Sequence, residues 1–529
     1  MSDQSLMLAN LYAELQKNRG SAEVERLDTH ISTVLLTGDV AYKIKKAVKL
    51  DFLDFSSLEQ RHFYCDEELR LNRRFAPHLY LNVAKISGSA DSPQIDGPGP
   101  AIEYAVKMRR FPQQDLASSL VTDGKLEAAH VEALAGGLAA FHRSGEAAVP
   151  TSGFGSPAGI MQRTRDALIQ IRYLQASLQS GADHSGIDAL EQWCEREFAL
   201  RSGAFSQRLR DGFVRECHGD LHLRNLALID GELSMFDGIE FNEDLRRIDV
   251  MNEVAFLVMD LQAHRRADLA FLFLNTYLEH SGDYDGLAVL RFYAVYRAMV
   301  RAEIALLRLL QSDAPQRAEL QAESARYLEV ARQWMQAPAP ALILMHGLSG
   351  SGKSVVSRTV LQQLGAIRLR SDVERKRIAG LNAAASSGSS LDAGLYADEL
   401  NTATYRRLLD LAKMLVGAGY TVLVDATFLL RAQRRPFVEW ADGEHLPLAI
   451  LNVQAPQQVL RERIASRARR GGDASEANLA VLERQLTLRE ALTPDEIEMT
   501  IACDTGSSTS PQFDVDLIPA LSMQLRKAP

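Results

Sequence analysis

Two short stretches of this chain carry side chains suited to handling phosphate. The first is His218-Gly219-Asp220-Leu221-His222-Leu223-Arg224-Asn225. Its carboxylate, Asp220, can take a proton from a hydroxyl, and the amide oxygen of Asn225 is a hard donor for a divalent cation. Asp237, just after Leu233-Ser234-Met235-Phe236, is a second hard donor. Asp220 is therefore the candidate base, and Asn225 and Asp237 are candidate magnesium ligands. The second stretch is Gly347-Leu348-Ser349-Gly350-Ser351-Gly352-Lys353-Ser354, a complete Walker A loop. Gly347, Gly350 and Gly352 let backbone N–H groups close around phosphate without Cβ clashes. Lys353 would reach the β/γ oxygens, Ser354 would ligate magnesium, and the helix beginning there adds its positive end. Both stretches point to moving the terminal phosphoryl group of ATP.

Transfer to a hydroxyl needs held phosphates, a chelated magnesium ion, a base at the acceptor and exclusion of water. In the first half Lys43, in Val40-Ala41-Tyr42-Lys43, would project from a strand toward the α/β phosphates. Glu68, on the following helix, would pair with Lys43 and fix its direction. His222 would brace the loop. Lys45, Lys46 and Lys49 surround Lys43, and Glu67 adjoins Glu68, so strand alternation alone does not single out the pair. His218 and His222, four apart, do not read as a zinc pair, because Gly219 stands where the H-E-x-x-H motif needs glutamate.

In the second half Asp372 and Arg375 lie in Ser371-Asp372-Val373-Glu374-Arg375-Lys376, just after a strand. Asp372 is placed to act as base toward an acceptor hydroxyl, and Arg375 to hold the acceptor. Thr421-Val422-Leu423-Val424-Asp425 is a strand ending in a magnesium-supporting carboxylate, Asp425. The stretch 461–470 holds five arginines. On a helix Arg463, Arg467 and Arg470 share a face and could clamp the phosphoryl group. The competing reading is a solvated helix of mixed charge. Asp473 and Glu476 follow as caps or counter-charges.

The elements that must position these residues fall into two patterns. Residues 31–45 alternate as a hairpin turning at Thr37-Gly38-Asp39, followed by a helix near 57–75 and strands near 79–87 and 101–109. From about residue 126 helices dominate (126–143, 159–181, 187–210 and 245–334), interrupted by the catalytic loop and short strands at 214–237. Gln336-Ala337-Pro338-Ala339-Pro340 breaks the chain, because alternating proline ends a helix and favours an extended connector. Beyond it strands at 342–346, 366–370, 421–425 and 447–453 alternate with helices, the signature of a parallel sheet covered on both faces. The expected domains are 1–336, with a small lobe at about 25–110 and a large lobe at 111–336, and 337–529. Residues 383–394, rich in alanine, glycine and serine, read as a lid or substrate flap.

Composition narrows the classes. A chain of 529 residues exceeds one hydrophobic core. The net charge of −9 argues against a nucleic-acid scaffold held by bulk positive charge, leaving a local basic groove open. Four scattered cysteines without a C-x-x-C pair imply neither a disulfide framework nor a zinc site, and suit a reducing cytoplasm. The first residues read as an amphipathic helix and not a signal peptide, and no run approaches the ~20 apolar residues of a membrane span.

The first half, roughly 30–265, resembles the aminoglycoside phosphotransferase family, relatives of choline and homoserine kinases. The likeness rests on His218–Asn225 and on Phe236-Asp237-Gly238-Ile239-Glu240-Phe241. It implies an α+β bilobal, protein-kinase-like fold, supports Lys43 as the phosphate-facing lysine, and places an adenine hinge near Val106-Lys107-Met108. The second half, roughly 341–505, resembles P-loop kinases of the zeta-toxin-like, gluconate-kinase-like and polynucleotide-kinase-like kinds, implying an α/β P-loop fold. The order of parts is similar to a bacterial group called bifunctional aminoglycoside phosphotransferase/ATP-binding proteins, which does not make aminoglycosides the substrate. The expected activity is ATP- and magnesium-dependent transfer to the hydroxyl of a small molecule by each half. Alternatives are a nucleotide-sensing regulatory half, or a second half acting on a nucleotide sugar or a polynucleotide end.

Overall fold

The computed structural model describes residues 3–18, 24–50, 53–178, 185–312, 314–336, 338–381, 398–470, 478–506 and 512–526. By contacts the chain divides into two compact units, Met1–Asp260 with Tyr296–Ser324, and Leu261–Val295 with Ala325–Pro529.

The first unit begins with a six-stranded antiparallel sheet whose order is Glu25–Asp28, Ser32–Thr37, Val40–Lys45, Ala101–Arg109, Tyr80–Gly88 and Pro93–Ile95. The hairpin closes with Thr37 opposite Val40, and Gly38 at its tip takes φ +56°. Strand alternation sorts the third strand onto two faces. Tyr42 and Ile44 pack with Met7, Leu8 and Leu11 of the helix Asp3–Asn18. Ala41, Lys43 and Lys45 face the other way, where Lys43 and Lys45 both meet Glu68 of the helix Leu58–Asn72. That helix starts at a capping box, Ser57 with Gln60, which fixes its first turn. Helices Ala128–Ser144, Pro157–Ser177 and Ser185–Arg210 follow, and hairpin strands Leu226–Ile229 and Glu232–Met235 frame the site loop.

The second unit is a five-stranded sheet, parallel throughout, ordered Ile367–Arg370, Val422–Asp425, Leu342–His346, Leu448–Gln454 and Thr500–Asp504. Four of these strands are the expected ones, and the fifth, Thr500–Asp504, was not anticipated. Its central strand Leu342–Met345 is buried, as suits a strand covered on both faces. The helix Ala267–Ser281 packs beside the edge strand Ile367–Arg370 and the helix Lys353–Leu364. The proposed flap at 383–394 lies outside the described residues, as do Asp473 and Glu476.

Candidate functional site

In the first unit the loop after the strand Val214–Glu216 is held by backbone geometry that glycine permits. Gly219 takes φ +88°, and a Cβ there would stand 2.8 Å from the carbonyl oxygen of Leu245. Its N–H donates to Glu253 Oε1 at 2.7 Å, and the other Glu253 oxygen lies 2.7 Å from His142 Nε2. His218 Nδ1 accepts from the Asp220 amide at 3.3 Å, so its proton sits on Nε2, which donates to the Phe236 carbonyl at 2.8 Å. Burial pushes the pKa of this imidazole down, which keeps it neutral as a brace between the two segments.

Asp220 and Asn225 come together: Asn225 Nδ2 donates to the Asp220 carboxylate at 2.9 Å and to its carbonyl at 3.0 Å. With the amide nitrogen committed to Asp220, the Asn225 oxygen is left as a hard donor. His222 Nδ1 accepts from the Arg224 amide at 3.2 Å, so Nε2–H faces Asp220 Oδ2 at 3.3 Å. Arg301 Nη1, 3.2 Å from the same nitrogen, is then a charge neighbour and not a donor to it. Burial raises the Asp220 pKa, but the neighbouring His222 and the Arg301 charge outweigh it and hold the carboxyl below the usual range. Asp220 is thus ionised, the form in which a carboxylate can accept a proton.

Lys43 Nζ donates to Glu68 at 2.8 Å and to Asp237. The charge network is larger than the sequence suggested. Lys45, fully buried, donates to the second Glu68 oxygen at 2.7 Å and to Glu240. Burial opposes charge on Glu68, yet Lys43 and Lys45 keep it ionised well below its ordinary pKa. Glu240 is pushed up by burial, with Glu68 adding repulsion that Lys45 does not fully cancel. The signal available was that Lys43 and Lys45, two apart on a strand, share a face. Asp237 sits at φ +62°, an unfavourable conformation for a residue with a Cβ, held by its N–H to Tyr80 Oη at 2.9 Å and by Gly238 N–H to Asn72 Oδ1 at 2.9 Å. The oxygens of Asn225 and Asp237 are the kind that suit magnesium. Val106–Met108 are mid-strand, paired with Val40–Lys45 on one side and Tyr80–Gly88 on the other. Their backbone groups are committed to the sheet, so the expected adenine hinge does not fall there.

In the second unit the glycine loop opens onto a cavity of about 340 Å³. Lys353, Ser354, Asp372, Arg375 and Asp425 all line it. A Cβ on Gly350, at φ +83°, would stand 2.9 Å from the Leu460 carbonyl oxygen, so the loop closes onto the arginine-bearing helix. Lys353 Nζ donates to the carbonyls of Gly347 and Leu348 at 2.9 Å each. Burial lowers its pKa to about 8, helped by Arg467 and opposed by Asp425 and Asp372. Arg375 Nη1 donates to Asp372 at 2.9 Å. Asp425 Oδ2 accepts from Ser357 Oγ at 2.9 Å, and Asp425 and Ser354, which both line the cavity, carry oxygens of the kind that suits magnesium.

Arg463 and Arg467 also line the cavity, whereas the side chain of Arg470 is outside the described residues. Arg463 is tied down: it donates to Thr505 Oγ1 at 3.0 Å, to the Thr505 carbonyl at 2.7 Å and to the Gly350 carbonyl at 3.4 Å. Its placement braces the glycine loop against the end of the fifth strand. Arg370 and Arg484 line the cavity too and were not singled out from sequence. Gln485 Oε1 accepts the Ser349 N–H at 2.8 Å, so the helix Leu479–Leu488 closes the loop from above.

Comparison with known proteins finds two family models, one over each of the two signature loops. Residues 54–293 match the model of the phosphotransferase enzyme family, and residues 342–492 match a model described as an AAA domain. Among solved structures, a choline kinase from Cryptosporidium parvum covers 62% of this chain and 96% of its own, at 12% identity and a TM-score of 0.37. A gluconokinase from Sinorhizobium meliloti covers 35% of this chain and 94% of its own, at 20% identity and a TM-score of 0.26. The uncharacterized protein Rv2004c of Mycobacterium tuberculosis is 32% identical over 455 residues, spanning 86% of this chain and 88% of the relative. The uncharacterized protein Mb2027c of Mycobacterium bovis matches to the same extent. The chain therefore belongs to the family of these mycobacterial proteins, and in this chain a phosphotransferase-family domain of kinase-like fold precedes a P-loop kinase domain.

Proposed function

We propose that the protein is an ATP- and magnesium-dependent phosphotransferase with two sites, each transferring a γ-phosphoryl group to a hydroxyl of a small molecule. The observation that carries the reading is the repeated grouping of an acid with metal-type oxygens. Asp220 stands against Asn225 in one unit, and Asp372 shares a cavity with Asp425, Ser354 and Lys353 in the other. Magnesium, when bound, would neutralise charge on the phosphate oxygens.

In each site the acceptor oxygen forms a bond to the γ-phosphorus while the bond from that phosphorus to the bridging oxygen breaks. ADP leaves, and the acceptor's hydroxyl proton passes to Asp220 or Asp372. Lys43, fixed by Glu68, would hold the α/β phosphates in the first unit, as Lys353 would hold the β/γ phosphates in the second. Arg375 would hold the acceptor, and Arg467 would face the phosphates beside the braced Arg463. A cytoplasmic location fits the four free, buried cysteines. Among the described residues no helix is long and apolar enough to cross a membrane.

A second reading of the P-loop site is favoured by its charge. Lys353, Arg370, Arg375, Arg463, Arg467 and Arg484 line it against the acids Asp372 and Asp425. An acceptor that itself carries phosphate, such as a nucleotide sugar or a polynucleotide end, would suit that excess. The test is ATP turnover by the full chain across a panel of metabolites, aminoglycosides and phosphorylated acceptors, with Asp220→Asn and Lys353→Ala. Each change should silence its own set of acceptors. Unaltered nucleotide binding and turnover in both variants would refute the proposal.

A further inference from the structure

The strand Ile367–Arg370 is the edge of the parallel sheet, and its two arginines are alternate residues that share a face. Both are met by one carboxylate. Glu279 Oε1 lies 2.6 Å from Arg368 Nη2 and 2.9 Å from its Nε, and Oε2 lies 3.3 Å from Arg370 Nη1. Glu279 is at the C-terminal end of the helix Ala267–Ser281, ahead of the Ala-Pro connector and within residues 54–293. That helix nevertheless belongs to the compact unit of the P-loop sheet. Asn275, one turn earlier, bridges the same strand: its Nδ2 donates to the Ala366 carbonyl at 3.1 Å, and its Oδ1 accepts from the Arg368 amide at 2.6 Å. The Arg377 side chain donates to the Glu279 carbonyl at 2.7 Å.

The contacts continue inward from Arg368. Its Nη1 lies 3.3 Å from Ser357 Oγ, which donates to Asp425 Oδ2 at 2.9 Å. The other arginine, Arg370, lines the cavity two residues before Asp372. One buried acid thus sets the arginine beside the base and, through Arg368 and Ser357, the carboxylate proposed to support magnesium. Removing the acid would leave Arg368 as a buried cation with its Ser357 contact free to shift.

We propose that Glu279 is a positioning residue of the P-loop site, supplied by a helix that precedes the P-loop sequence and acting on Asp425 through Arg368 and Ser357. The proposal rests on the reading of that cavity as a magnesium-nucleotide site. The test is binding of a fluorescent ATP analogue to the full chain, titrated with magnesium and read as the component that Lys353→Ala removes. Glu279→Gln should raise the magnesium concentration for half-saturation at least about fivefold, and Glu279→Asp should recover part of the shift. Ser357→Ala, which leaves the helix contacts in place, should shift it in the same direction. Magnesium titrations of Ser357→Ala and Glu279→Gln that superimpose on wild type would overturn the positioning role. If Glu279→Gln does not fold, the Glu279→Asp titration decides, and a curve that superimposes on wild type overturns the role. Nucleotide binding unchanged by Lys353→Ala would instead overturn the reading of the cavity.

Discussion

Lys353 gives the most quantitative expectation. Its ammonium rests on two carbonyls of the glycine loop, and burial lowers its pKa to about 8. A triphosphate brings negative charge to this lysine, and that charge favours the cation, raising the pKa back toward or beyond the ordinary value of about 10.4. The sign follows: between the two values, nucleotide binding takes up a proton. With the empty-site value, about one tenth of the lysines are neutral at pH 7, half at pH 8 and nine tenths at pH 9. Uptake should therefore rise from about 0.1 proton at pH 7 to about 0.9 at pH 9, and affinity should fall toward tenfold per pH unit on the alkaline side. The terminal phosphate, with a second pKa of about 6, can release up to about 0.1 proton at pH 7 and offset the lysine there, but it is fully ionised at pH 9 and leaves that count to the lysine. Calorimetric titration at pH 9 in two buffers of different ionisation enthalpy measures the proton count. Subtracting the Lys353→Met variant isolates this site. Equal heats in both buffers, or a Lys353-dependent affinity that stays flat from pH 7 to 9, would refute the argument.

Three further outcomes follow from buried features. Lys45→Met leaves Glu68 and Glu240 without their shared cation and should cost about 3–5 kcal/mol in the denaturant transition of the first unit. Adding Glu240→Gln should return part of that loss, and a double variant no more stable than the single would contradict the pairing. Gly219→Ala places a Cβ 2.8 Å from the Leu245 carbonyl oxygen at φ +88°, so it should cost about 2 kcal/mol or more and lower first-site turnover while P-loop nucleotide binding is unchanged. Arg434, fully buried, donates to both Glu496 oxygens at 2.8 and 3.1 Å and to the Phe428 carbonyl at 2.9 Å. Arg434→Met should destabilise the second unit by about 3–5 kcal/mol, and a loss under 1 kcal/mol would show that the pair contributes little.

What could be read from sequence was whatever chemistry is packed into a few consecutive residues. The glycine loop declares itself within Gly347–Ser354, because backbone closure around phosphate needs glycine, lysine and a hydroxyl at fixed spacing. Asp220 and Asn225 are five apart in one loop, and the structure keeps them 2.9 Å apart. Pairings between distant segments were less legible. Lys43 and Lys45 look alike on a strand, and only the packed helix shows both sharing Glu68, with Glu240 completing the group. Arg463 was placed on the correct helical face, but its partner Thr505 lies beyond a strand too short and mixed to be noticed, Thr500–Asp504. Glu279 carried no local signal, since an acid near the end of a helix is ordinary, and its partners Arg368 and Arg370 come about 90 residues later. The adenine hinge was misplaced because a run of alternating residues does not reveal whether a strand has neighbours on both sides.

The helix Ala267–Ser281 has a further consequence for how the molecule is made. A ribosome releases Asn275 and Glu279 well before the strand that receives them, and Arg368 and Arg370 emerge only after the glycine loop. During that interval an apolar helix, with Leu269, Phe273 and Leu274 destined for the interior, waits without its sheet. Nascent chains halted between residues 300 and 365 should therefore be the ones most in need of a chaperone. A gene split at the Ala-Pro connector would leave each fragment holding half of the same buried ionic cluster.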